Sequence, residues 1–112
     1  MSKIKAERAG SDIQRELGSI LLLEAKDKDF KNVTITAVDV SSDFSNAKVY
    51  FTTTDDKDHV TKDLNNAAGF FRSLLSQRVE MRHTPELKFV FDESIEYGQK
   101  IENIIKELHK ED

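Results

Sequence analysis

Cysteine is absent from this 112-residue chain, and proline occurs once. Without thiols there is no disulfide framework, no thiol nucleophile and no thiolate metal site. The absence also fits the reducing cytosol. No apolar run approaches the roughly 18 residues that a membrane span needs, and the opening MSKIKAERAG has no signal-peptide core. A soluble cytoplasmic protein, without membrane association, is expected. Glycine-rich phosphate loops and nucleophile motifs are missing too. His59, His83 and His109 are scattered without ligand spacing. The acids of DDKDH lack the alternating ligands and distal bidentate acid of a calcium loop, and read instead as acids at a helix start. Asp92, Glu93 and Glu96 have the same simple reading. No enzyme activity, cofactor or metal is expected.

What is present is charge, unevenly spread. The chain carries 17 basic and 21 acidic residues, net −4. Residues 1–15 hold Lys3, Lys5, Arg8 and Arg15 against Glu7 and Asp12. Residues 72–91 hold Arg72, Arg78, Arg82 and Lys88 against Glu80 and Glu86. Both segments are net positive within an acidic chain. If they meet in space, the molecule can turn one basic face toward a polyanion while its acidic remainder limits indiscriminate binding. Arg8 and the lysines near the first helix start also oppose the helix dipole, a placement that an anionic partner would relieve.

The length suits one domain, residues 1–112, large enough for a core of its own. Residues 4 to about 25 read as a helix, with Ala6, Ala9, Ile13, Leu17, Ile20 and Leu21 on one face. NVTITAVDVS and AKVYFTTT are β-branched and alternating, and SDFSN between them is turn chemistry, which predicts an antiparallel hairpin. On the first strand Val33, Ile35 and Ala37 share a face; on the second, Ala47, Val49 and Phe51 do. A long helix follows from about Val60 to Val79, its stripe formed by Val60, Leu64, Ala67, Phe71 and Leu75. Continued straight, that stripe would carry Arg78 inward, at high desolvation cost. A break at Ala67-Ala68-Gly69 would turn the second half outward; a small-residue contact with the sheet is the competing account of the same residues. Pro85 closes helical territory. LKFVF is a third strand, with Leu87, Phe89 and Phe91 inward. A strand–helix–strand crossover sets it parallel to the second. The last helix carries Ile95, Ile101, Ile104, Ile105 and Leu108, capped by Ser94 or Asp92. The class is α+β.

AAGFFRSLLSQRVEMRHTPELKFVFDESIEYGQKI, VTITAVDVSSDFSNAKVYF and ERAGSDIQRELGSIL together resemble the ribosome-binding factor A family of bacterial small-subunit maturation factors. The resemblance spans nearly the whole chain. It implies a KH-like fold of type II topology, ordered helix, strand, strand, kinked helix, strand, helix, with a three-stranded sheet packed against helices. KH domains clamp nucleic-acid backbone with a Gly-x-x-Gly loop; the family has an Ala-x-Gly kink there, matched by Ala67, Ala68 and Gly69. The implied partner is the free small (30S) ribosomal subunit. The implied work is late 16S rRNA maturation near the 5′-terminal helix region, including adaptation to cold, without catalysis. Lys3, Lys5, Arg8, Arg15, Arg72, Arg78 and Arg82 would meet RNA phosphates, on one exposed face. Small-subunit ribosomal proteins are a further implied contact, and the protein is expected to be a monomer. Glu80, between Arg78 and Arg82, weakens the local positive field. Phe70 is the best candidate for stacking on a base, although the general burial of phenylalanine favours a core or partly buried place for it.

The alternative is a protein–protein adaptor without direct RNA contact. A small α+β domain can take a peptide strand on an open sheet edge, and an acidic last helix can dock a basic protein. Salt separates the two readings, because phosphate-driven binding weakens steeply as salt rises.

Overall fold

The computed structural model describes residues 6–23, 30, 32–81 and 83–94. Helix α1 covers Ala6–Leu23, and its apolar positions, Ala9, Ile13, Leu17, Ile20 and Leu21, are buried. Their three-to-four-residue spacing makes a single face. Gly10 joins that face for a different reason. A Cβ there would stand 2.7 Å from the carbonyl oxygen of Val38, so glycine lets the helix backbone lie against the sheet.

Strands β1, Val33–Val40, and β2, Asn46–Thr53, form the expected antiparallel pair. In the turn between them the Asp43 carboxylate accepts hydrogen bonds from the hydroxyls of Ser45 and Ser41, at 2.7 and 2.8 Å, and from the Ser45 N–H at 3.0 Å. Phe44 adopts a left-handed φ of 62° yet is buried in the core. That conformation costs a non-glycine residue about 1–2 kcal/mol, which burying its ring offsets by roughly 1.5–3 kcal/mol.

The alternation expected of β1 does not persist along its length. The register shifts between Ile35 and Ala37, leaving Thr36 as the extra residue of a bulge. Ile35 and Val40 are buried, while Ala37 is exposed. Gln14 of α1 spans this irregularity, donating from Nε2 to the carbonyls of Ile35 and Thr36 at 3.3 and 3.2 Å. Backbone groups left without a regular ladder thus find a side-chain partner.

Strand β3, Glu86–Phe91, runs parallel to β2, giving the sheet order β1-β2-β3. Parallel pairing needs a crossover, supplied here by α2, Lys57–Asn66, and α3, Ala68–Arg78. The acids before α2 serve its start: the Asp56 side chain accepts from the Asp58 N–H at 3.1 Å. The helices pack on the sheet face carrying Ala47, Val49, Phe51, Leu87 and Phe89. Phe71 lies at the core's centre, with the rings of Phe89 and Phe30 edge-on at 5.6 and 5.7 Å. Asn65 closes part of the β3 edge. Its amide donates to the Phe89 carbonyl at 3.0 Å and accepts from the Phe89 N–H at 2.8 Å.

After β3, Asp92 accepts from the Ser94 N–H at 3.0 Å, the geometry of a helix N-cap. The last helix expected from Ile95, Ile101, Ile104, Ile105 and Leu108 lies outside the described residues. Over the described residues the order is that of a KH-like fold of type II topology. No helix among them is long and apolar enough to cross a membrane.

Candidate nucleic-acid interface

Two helices stand where periodicity alone traces one. Ala67 joins them with φ −94° and ψ 4°, outside helical geometry. Its N–H reaches the carbonyls of Asp63 and Leu64, and its own carbonyl accepts from the Phe71 N–H at 3.1 Å. One residue therefore changes the path while few backbone bonds are lost. The apolar stripe is not turned outward by this break: Val60 and Leu64 before it, and Phe71 and Leu75 after it, are all buried. Arg78, in line with that stripe, is nonetheless exposed and reaches Glu16 of α1 at 3.7 Å.

Ala68 and Gly69 form the first turn of α3. Gly69 is exposed, and a Cβ built on it would meet nothing within 4 Å. Helical spacing aligns Gly69 with Arg72, Ser73 and Ser76, and these residues line an open cleft of about 390 Å³ with His83 and Thr84. A second cleft, about 280 Å³, lies among Ala68, Gly69, Arg72, Glu86 and Leu87. Arg72 borders both. It is half-buried rather than exposed as expected. Its Nε and Nη2 donate to the Thr84 carbonyl at 3.1 and 3.0 Å, which uses two of the five guanidinium donors.

The other expected contacts divide into groups. Arg8 is exposed and makes no ion pair among the described residues. Arg15 is exposed but pairs with Asp12 at 3.2 Å and Glu16 at 3.7 Å. Glu16 thereby stands between Arg15 and Arg78, one cation from each basic segment. The first helix and the end of α3 do meet, but across an acid that neutralises part of their charge. Lys3, Lys5 and Arg82 lie outside the described residues. Glu80 is exposed.

Sequence reasoning did not single out Glu16, Ser73 or Ser76. The two serines could have been found from their four- and seven-residue spacing after Gly69. Glu16 carried no local signal, because its partner Arg78 is remote in sequence. Phe70 lies outside the core but is partly covered: it is 51% exposed, its ring tilted against that of Phe71 at 5.5 Å between centroids.

A family model described as Ribosome-binding factor A matches residues 5–105. The chain is 45% identical to ribosome-binding factor A of Staphylococcus carnosus over 115 aligned positions, covering all of both chains. It is 46% identical to that of Staphylococcus epidermidis, covering all of this chain and 99% of the relative. The crystal structure of ribosome-binding factor A from Thermus thermophilus shares the fold, with TM-score 0.69 and 24% identity, over 78% of this chain and 96% of that one. A Thermus thermophilus ribosome-binding factor A homology model, fitted into the cryo-EM map of its complex with the 30S subunit, is similar at TM-score 0.68 and 26% identity. It covers 80% of this chain and 97% of that chain. With a family model spanning most of its length and full-length relatives at this identity, the chain belongs to the ribosome-binding factor A family.

Proposed function

We propose that this protein binds the free 30S ribosomal subunit and assists late maturation of its 16S rRNA, near the 5′-terminal helix region and including growth in the cold. The observation that carries the reading is its likeness in fold to the Thermus thermophilus protein fitted into a 30S complex. The cleft beside the Ala67 joint adds physical support, because an exposed glycine, three hydroxyl-bearing residues, a histidine and an arginine line one open groove. Arg8, Arg15, Arg72 and Arg78 serve as phosphate contacts, with Lys3, Lys5 and Arg82 extending the basic segments. Phosphate contacts orient a protein without reading sequence, so selectivity rests on rRNA shape.

The mechanism is differential binding. A factor that holds one rRNA conformation more tightly than another shifts the population toward it, and it leaves when the favoured site is remodelled. No chemical step is required of the protein, which acts in the cytoplasm as a monomer. Small-subunit ribosomal proteins border the same site. The adaptor reading by strand addition meets an obstacle at β3, where Asn65 already occupies both backbone groups of Phe89.

Co-sedimentation with purified 30S subunits across a salt series tests the proposal. Binding should fall with salt on a log–log slope set by the number of phosphates neutralised. Binding that ignores salt would move the contact to ribosomal protein, and no binding at low salt would end the ribosomal reading.

A further inference from the structure

Phe70 is the feature that the phosphate-binding account leaves unused. It is the one large aromatic among the described residues that is mainly exposed. It follows Gly69 directly in the first turn of α3, so the same turn that opens the cleft also presents this ring. By helical geometry Ser73 and Leu74 are its neighbours on the helix surface, with Gln77 one turn further. Leu74 turns partly into the core, so the exposed helix positions beside the ring, Ser73 and Gln77, are polar. The inner flank of the ring leans on Phe71, which is fully buried and clamped by Phe30 and Phe89. The exposed ring thus has a rigid support and little freedom to fold back into the core.

A propped, exposed aromatic beside polar helix positions and a guanidinium-lined cleft suits a flat partner whose edges stay in water and whose backbone is anionic. An unpaired nucleobase has that chemistry. Stacking platforms next to cationic grooves are how single-stranded nucleic acid is held without sequence readout. We infer that Phe70 stacks on an unpaired base of the bound rRNA while the neighbouring cleft takes the adjoining phosphate. This rests on the proposed binding to the 30S subunit and deepens it, naming a single-stranded rather than duplex element at the α3 start. Stacking adds a contact that salt does not screen to a phosphate interface that salt does.

The test is a set of Phe70 variants, co-sedimented with purified 30S subunits at several salt concentrations, with thermal melts as a fold control. If Phe70 stacks, Phe70→Ala and Phe70→Leu should each weaken binding by about tenfold, Phe70→Trp should bind as tightly as the parent or better, and all should keep the parent's salt slope. Phe70→Leu binding like the parent while Phe70→Ala is weak would overturn stacking in favour of an apolar protein pocket. Equal binding by all variants would overturn any contact at Phe70 and leave the phosphate reading standing. Failure of the parent itself to bind subunits would bring down the proposed function and this inference with it. The chain has no tryptophan, so Phe70→Trp also provides a lone fluorophore. Its emission should be quenched by a single-stranded RNA oligonucleotide more than by the same strand in a duplex.

Discussion

The guanidinium of Arg72 grips the Thr84 carbonyl through two N–H groups, 3.1 Å from Nε and 3.0 Å from Nη2. It thereby ties α3 to the segment that leads into β3, next to the fully buried Pro85. Arg72 therefore holds one wall of the cleft while presenting charge to it. Arg72→Ala should lower stability by about 1–2 kcal/mol, measured by urea unfolding, and weaken 30S binding as well. Arg8→Ala should weaken binding with unchanged stability, because Arg8 makes no ion pair among the described residues. Equal stability of Arg72→Ala and the parent would show that the Thr84 contact contributes nothing in solution.

Glu16 should act as a brake on binding. It lies 3.7 Å from both Arg15 and Arg78, so phosphate must compete with a carboxylate for two cations. Glu16→Gln should tighten 30S binding several-fold at low salt and steepen the salt slope. Stability should change by less than about 1 kcal/mol, as is usual for surface pairs. Unchanged affinity across the salt series would remove Arg15 and Arg78 from the interface.

Gly10 and Gly69, both in helices, should respond oppositely to alanine. Gly10→Ala forces a Cβ to 2.7 Å from the Val38 carbonyl oxygen, where the obstacle is backbone. A loss of about 1–3 kcal/mol in urea unfolding is expected from such overpacking. Gly69→Ala meets no atom within 4 Å and should leave the melt unchanged or slightly raised. Any binding loss it causes would then report close approach of RNA to the α3 start. A stable Gly69→Ala variant that binds normally would show that the RNA backbone stays away from Gly69.

Acid should loosen the hairpin turn. The Ser45 hydroxyl, then the Ser45 N–H and the Ser41 hydroxyl, hold the Asp43 carboxyl at about 2, below its ordinary 3.8. A depressed folded-state pKa stabilises the fold fully above the ordinary value, and that contribution is lost as pH falls through the folded one. Its loss should therefore occur between pH 3.8 and about 2. Asp92 acts in the same direction, its carboxyl lowered first by the Ser94 hydroxyl and then by that of Thr36. Thermal melts across this range should show a shallower acid dependence for Asp43→Asn than for the parent. Parallel curves would exclude Asp43 as a contributor.

Much of the fold was legible because its signals are local. The three-to-four-residue spacing of Ala9, Ile13, Leu17, Ile20 and Leu21 marks the buried face of α1, and the alternation of Ala47, Val49 and Phe51 marks that of β2. Small residues at Ala67-Ala68-Gly69 suggested a change of helix direction, and motifs along the chain suggested the family. The phase of β1 was not legible. Thr36 looks like any β-branched strand residue, and its bulge is defined by pairing with β2 and by Gln14 from α1.

The same division holds at the site. Sequence by itself determined where the cations lie along the chain, which faces of α1 and β2 are apolar and which segments pair, since these follow from side-chain period and turn chemistry. Only the tertiary structure decided what each cation meets. Arg72 found a carbonyl, Arg78 and Arg15 found Glu16, and Phe70 was left at the surface while Phe71 filled the core. The physical reason is one of range. Period and propensity act within a few residues, whereas the charge of a surface and the exposure of a ring depend on partners brought close only when distant segments pack.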